Sequence, residues 1–285
     1  MTWIFGIGSI YKVQVLFKRF QKSSCEEYNK NFSTQYNQFH PLMIFALSHK
    51  ISETHLTKIQ RCIGSNSNLD NDHINILKSV SAIDPCINLD RNDISKKNER
   101  LNFIKKKLWK YHPSIAILNK ILKCQIAFLD SDNFKGISSP VFPSLILTSL
   151  YQEDWNFWRP QALAEYAHEI YHQVLFLYES ADDIIEYSQR YKMIYSPIKN
   201  CKRPAIYAFH GLIAMTVMLK IFFSYFRYEC TSSEERIFCH NKIVSLKSKI
   251  NASYLEIANE GIKFTALGEK IKMEAFNEFK SMQIS

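Results

Sequence analysis

Glycine is scarce, with 7 in 285 residues. So low a content argues against a turn-rich all-β fold and against a Gly-rich phosphate loop. The cysteines number seven, an odd count, and no two stand in a CxxC pair. A disulfide framework is therefore not expected, and reduced thiols in a cytoplasmic protein are. The apolar N-terminus, MTWIFGIGSIYKVQVLFKRF, lacks a basic n-region and a small-residue cleavage site, so it does not read as a signal peptide. An uninterrupted apolar run long enough to cross a bilayer, about 18 residues, is also missing. The nearest candidate, 204–228, is interrupted by His210 and Lys220 and reads as a buried core helix rather than a membrane span.

What the chain does have is a hydrophobic share of 46% and an aromatic share of 14%, enough for a sizeable core. Net charge is +9. The basic residues are scattered, and their densest group, Lys105-Lys106-Lys107 with Lys110, lies on one amphipathic segment, where a solvated helix face explains it. Charge alone thus gives no reason to expect a nucleic-acid partner.

Apolar spacing predicts a mainly α protein. Leu101, Ile104 and Leu108, then Ile115, Leu118, Ile121 and Leu122, keep helical period on either side of Pro113. A second helix is predicted from Arg159-Pro160 to about Tyr178, a third from Pro204, and amphipathic helix over 232–282 with a break near Thr265–Gly268. Residues 180–203 read as a loop or short helix. The runs CQIAFLD and FPSLILTSL suggest a small β-hairpin before the 159–178 helix. Two parts are expected: an N-terminal helical subdomain over 1–100, assigned to substrate recognition by position alone, and a catalytic domain over 101–285.

The 159–178 helix carries His168-Glu169-Ile170-Tyr171-His172, an HExxH pattern. Residues i and i+4 share a helix face, so both imidazoles can reach one metal ion. In the familiar zinc peptidases the glutamate takes a proton from metal-bound water. The pattern also arises by chance, and a buried histidine is often merely hydrogen-bonded. Here, however, it is flanked by AEYA and QVLFLY, where unpaired polar groups are costly.

The third ligand separates the reaction classes. The extended metzincin pattern fails, because Leu175 and Tyr178 stand where Gly and His are required. Asn259-Glu260-Gly261-Ile262-Lys263 does not complete a gluzincin pattern, which leaves Glu186 and Glu229 as bare candidates. His210, inside CKRPAIYAFHGLIAMTV, is the better candidate, although alone it would read as a core histidine. Gly211 beside it points to a close approach by another segment, since Gly in a helix costs ~1 kcal/mol relative to Ala.

LAEYAHEIYHQVLFL, YSPIKNCKRPAIYAFHGLIAM, ISSPVFPSLILTS and FTALGEKI together resemble blocks of the HExxH-type 2-oxoglutarate-dependent peptide β-hydroxylases, also described as HEXXH-motif peptide-modification proteins. The resemblance covers roughly residues 125–275, and HExxH followed by SPxxxxxRPxxxxxHG is its specific part. It implies a helical metalloenzyme domain holding Fe(II) through His168, His172 and His210, with 2-oxoglutarate and O₂ as cosubstrates and a peptide or protein as substrate, as in the tailoring of ribosomal peptide natural products. It further implies Arg203 on the distal carboxylate of 2-oxoglutarate and Ser196 adding a hydrogen bond, against a simpler role in ordering the helix start. Glu169, assigned to catalysis, is left with three roles: orienting a ligand, acting as a base or touching iron. Tyr171, Trp155 and Trp158 line a pocket or pack the core. The competing readings are a zinc-dependent peptidase with Glu169 as general base and a non-catalytic peptide-binding protein.

Overall fold

The computed structural model describes residues 88–89, 94–122, 124–130, 136–138, 145–148, 157–179 and 182–282, together with Val15. The expected N-terminal subdomain lies almost wholly outside the described residues, as does Trp155. Helix makes up 76% of what is described, so the chain is mostly α.

The order is β1 (Asn88–Leu89), α1 (Ile94–Tyr111), α2 (Pro113–Leu122), β2 (Gln125–Asp130), β3 (Gly136–Ser138), β4 (Leu145–Thr148), α3 (Trp158–Glu179), a 3₁₀ turn (Tyr187–Gln189), β5 (Met193–Ser196), β6 (Cys201–Pro204), α4 (Ala205–Tyr228), α5 (Ser233–Asn259) and α6 (Ala266–Ser281). Pro113 opens α2 at its first position, where a missing N–H costs nothing. Ser232 caps α5 by accepting from the Glu235 amide at 3.1 Å. Thr265 caps α6 by accepting from Gly268 N at 3.1 Å.

The core forms around α4, which packs most extensively against α3 and α5. By length and composition α4 could cross a membrane, but 78% of its apolar window is buried inside the protein. Burial among neighbouring helices accounts for its apolar character as a core helix. Ile104, Leu118, Ile170, Leu212, Ile213 and Ile250 are fully enclosed.

The strands before α3 depart from a simple hairpin. They form a four-stranded sheet in the order β1-β2-β4-β3. β2 and β4, the two apolar runs in the sequence, pair in parallel, Gln125 opposite Leu145 and Phe128 opposite Thr148. β3, in the polar stretch between them, pairs antiparallel with β4. The hairpin lies instead after α3. β5 and β6 pair antiparallel within the segment read as loop or short helix, with Ile194 opposite Arg203 and Ser196 opposite Cys201.

Candidate metal centre

His168 and His172 are one helical turn apart on α3, and their Nε2 atoms lie 2.9 Å from each other. Two metal–nitrogen bonds of ~2.1 Å meeting at a right angle would span ~3.0 Å, so the pair has the spacing of neighbouring ligands on one ion. His168 is oriented from behind by Met218 of α4, whose Sδ lies 3.2 Å from Nδ1. Burial, aided by the Lys199 charge, lowers His168 to about 4. Burial also holds His172 well below the ordinary histidine range, and His168, His210, Arg203 and Lys199 add to the effect. Both imidazoles are thus neutral at physiological pH, the form that offers a lone pair to a metal.

Glu169 is 3% exposed, and its Oε1 lies 3.8 Å from His168 Nε2. Burial pushes its carboxyl up to about 8, with Glu165 adding while Ser138 and Lys199 oppose. Ser138 reaches this point from β3, donating to the Glu169 carbonyl at 3.4 Å. β3 therefore lies beside α3 at Glu169.

His210 comes from α4 and is 2% exposed. Its ring lies 5.3 Å from Phe176 and stacks 6.0 Å from His172, centroid to centroid. Its Nε2 faces Glu179 Oε2 at 3.1 Å rather than the Nε2 pair of α3.

The β5–β6 hairpin packs on α4 and α5, and the charges of its Arg203 and Lys199 reach His172. Directly opposed residues of an antiparallel pair share a face, and successive residues alternate. Ile194 and Ser196 are buried, and Arg203, opposite Ile194, belongs to that same face. The turn rests on α4, because an added Cβ at Gly211 would lie 2.5 Å from Ile198 Cδ1. This is the close approach that Gly211 was expected to permit. Asn200 completes the turn at φ 52, a left-handed conformation that Asn tolerates.

Glu169 Oε2, His172 Nδ1, Ser196 Oγ and His210 Nε2 are buried without a hydrogen-bond partner. Each such atom costs ~1–3 kcal/mol unless something binds it. The neutral histidine pair, with Nε2 atoms 2.9 Å apart, fits a metal ion on His168 and His172. The third ligand is not assembled: among the described residues, no three His, Cys, Asp or Glu side chains converge as a metal cluster.

The other candidates lie elsewhere. Glu229 is held by Lys107, Tyr111 and Lys110, tying the end of α4 to α1. Glu186 is exposed at the 3₁₀ turn, and Glu260 pairs with Lys192 at 2.8 Å. Trp158 packs on Phe103 with ring centroids 5.5 Å apart, and Tyr171 is fully enclosed in the core. Sequence reading missed Glu179 and Lys199. Glu179 stands seven residues after His172, two turns along the same face, which was the available clue. Lys199 left no local sign, since only the folded turn brings its charge near the HExxH residues.

Neither a protein-family model nor a curated protein matches the chain. Its function must therefore be argued from the site.

Proposed function

We propose that this protein is a non-haem iron, 2-oxoglutarate-dependent oxygenase that hydroxylates a β-carbon in a peptide or protein, within the class its motif blocks resemble. The observation that carries the reading is proximity: His210, 38 residues beyond His172, belongs to α4, which packs on α3, and Ser196 and Arg203, 24 and 31 residues beyond it, belong to the β5–β6 hairpin, which packs on α4. His172 lies within the electrostatic reach of both His210 and Arg203.

In this reading His168, His172 and His210 would hold the iron. Bound iron supplies, with 2-oxoglutarate and O₂, the oxidation of an unactivated C–H bond. The chain's own residues set the conditions. Arg203 offers a planar fork to the distal carboxylate of 2-oxoglutarate, Ser196 adds its unpartnered hydroxyl, and Lys199 contributes positive charge that favours the dianion. Phe176 and Met218 limit water at the histidines, which suppresses side reactions. Glu169, kept largely protonated near neutral pH, can donate a hydrogen bond to a bound group. The cytoplasmic assignment rests on thiol usage: Cys124, Cys201, Cys230 and Cys239 are all free.

The zinc-peptidase reading draws on one observation, Glu169 standing beside His168 with an unpartnered oxygen. The carboxylates considered for its third ligand, Glu186 and Glu229, are placed elsewhere.

The deciding experiment loads the protein anaerobically with Fe(II), admits O₂ and measures succinate formed from 2-oxoglutarate, with His210→Ala as control. Turnover that is lost in the variant supports the oxygenase. Peptide cleavage by the zinc-loaded protein without 2-oxoglutarate would replace it with the hydrolase.

A further inference from the structure

α1 and α2 meet at Pro113 and flank a surface cleft of about 220 Å³, lined by Lys105, Leu108, Trp109, Ala116, Asn119 and Lys120. The lining residues recur at one-turn spacing on each helix, so each turns one stripe to the cleft. Leu108 and Ala116 are buried and form an apolar floor, while Trp109 is 51% exposed. The neighbouring lysines are used differently. Lys107 and Lys110 are engaged by Glu229, and Lys106 keeps the solvated position expected of this group. Lys105 is partly buried in the cleft. Burial holds its ammonium below the ordinary lysine range, opposed by the Cys124 thiol. Among the described residues no carboxylate pairs with Lys105 or with Lys120. A partly buried charge without a counterion is costly, which points to an anion supplied from outside. Asn119 accepts from the Tyr166 hydroxyl at 2.9 Å through Oδ1, which leaves its N–H donors for a ligand. Tyr166 stands two residues before His168, about 200° around α3, so the cleft is separate from the histidine site.

We propose that this cleft docks an acidic segment of a peptide, an Asp or Glu beside an aliphatic residue, with the carboxylate between Lys105 and Lys120 and the aliphatic group on Leu108, Ala116 and Trp109. Charge and size favour this occupant. Two unpaired ammoniums border an apolar floor, which matches a carboxylate next to a hydrocarbon side chain. Cavities that hold a whole drug-sized ligand run to about 300–1,000 Å³. This one is smaller and open, and takes one or two side chains of a chain crossing the surface. An exposed Trp beside a buried apolar floor is the type of anchor that dominates interface energies. Nucleic acid fits less well, because it needs a continuous basic track for its phosphates, and Glu229 neutralises Lys107 and Lys110. The proposal deepens the function above, on which it rests for the identity of the peptide: the substrate carries an acidic, aliphatic segment apart from the residue that reacts.

The test is fluorescence anisotropy of a dye-labelled Glu-Leu-Glu-Leu-Glu peptide at low salt, on the full-length protein without metal or 2-oxoglutarate. Lys105→Met should weaken binding about fivefold, and Trp109→Ala roughly 30-fold. Lys106→Met removes the same charge one residue away, outside the cleft, and should leave affinity almost unchanged. Lys105→Met should also melt at or above wild type, because an apolar side chain of similar length replaces a partly buried ammonium. No binding by the wild type, or equal losses in Lys105→Met and Lys106→Met, would overturn the proposal. So would oligothymidylate or octanoate binding more tightly than the peptide at the same salt, which would make the cleft a nucleic-acid or a small-carboxylate site. None of these outcomes touches the succinate assay. Conversely, the expected binding pattern in a protein that forms no succinate would keep the cleft and overturn only the oxygenase reading.

Discussion

Gly268→Ala sets two physical effects against each other, and the structure determines which prevails. In the first turn of an isolated helix the change should stabilise by up to ~1 kcal/mol. Here a Cβ at residue 268 would lie 1.9 Å from the Ile184 carbonyl oxygen and 2.9 Å from its carbon, both backbone atoms. Side chains essentially never come within 3.0 Å of a neighbour, so α6 would have to retreat by about 1.1 Å, the difference between those values. The retreat pulls on the hydrogen bonds that dock α6: Thr265 N to Ile184 O at 3.1 Å, Thr265 Oγ1 to Asp183 O at 2.6 Å, and the Gly268 N cap. With overpacking at ~1–3 kcal/mol and each weakened hydrogen bond at ~1 kcal/mol, the net loss is about 3 kcal/mol. Thermal unfolding followed by circular dichroism should show a Tm lower by roughly 6–12 °C. Gly261→Ala is the comparison. Its φ is +61 with nothing within 4 Å of the added Cβ, so it should cost only the left-handed strain of ~1–2 kcal/mol. A Gly268→Ala protein that melts at or above wild type would refute the reasoning.

Three further outcomes follow from particular contacts. His112, 3% exposed between α1 and α2, is lowered to about 4 by burial and by Lys220. A folded value below the unfolded ~6.5 means its contribution is present above pH 6.5 and lost as pH falls towards 4. Denaturant titrations should therefore show the gap between wild type and His112→Gln shrinking by about 2–3 kcal/mol from pH 7 to pH 4.5, and a pH-independent gap would contradict the assignment. Gly211→Ala should destabilise by ~1–2 kcal/mol through contact with Ile198 Cδ1. Ile198→Val, which removes that methyl group, should restore most of the loss when combined with it, and additive losses would show that the hairpin does not rest on α4 as described. Under the proposed chemistry, Arg203→Lys should raise the KM for 2-oxoglutarate about tenfold or more with little change in protein stability; an unchanged KM would reduce Arg203 to ordering the start of α4.

The helices were legible because their causes are local. Apolar period, Pro113 at a helix start, Pro204 before α4 and Thr265 before α6 act within a few residues. The HExxH pair was legible for the same reason, since four residues of helix place two imidazoles on one face. The sheet was not. CQIAFLD and FPSLILTSL looked like the arms of a hairpin, yet they pair in parallel because the short strand Gly136–Ser138 takes the antiparallel edge of β4. The hairpin at 193–204 was read as loop or short helix, because YSPIKNCKRP carries turn residues and little strand pattern. Nor did Gly268 announce its function, which exists only against the backbone of Ile184.

The amino-acid sequence by itself determined where α3, α4, α5 and α6 lie and which helix carries the HExxH pair, since hydrogen bonds and side-chain spacing within a helix are set by near neighbours. Only the tertiary structure decided that His210 faces Glu179, that Arg203 and Ser196 share a hairpin face, and that Gly211 lies beneath Ile198. Those relations depend on packing between elements distant in the chain, where burial and steric fit act and local propensity has no influence.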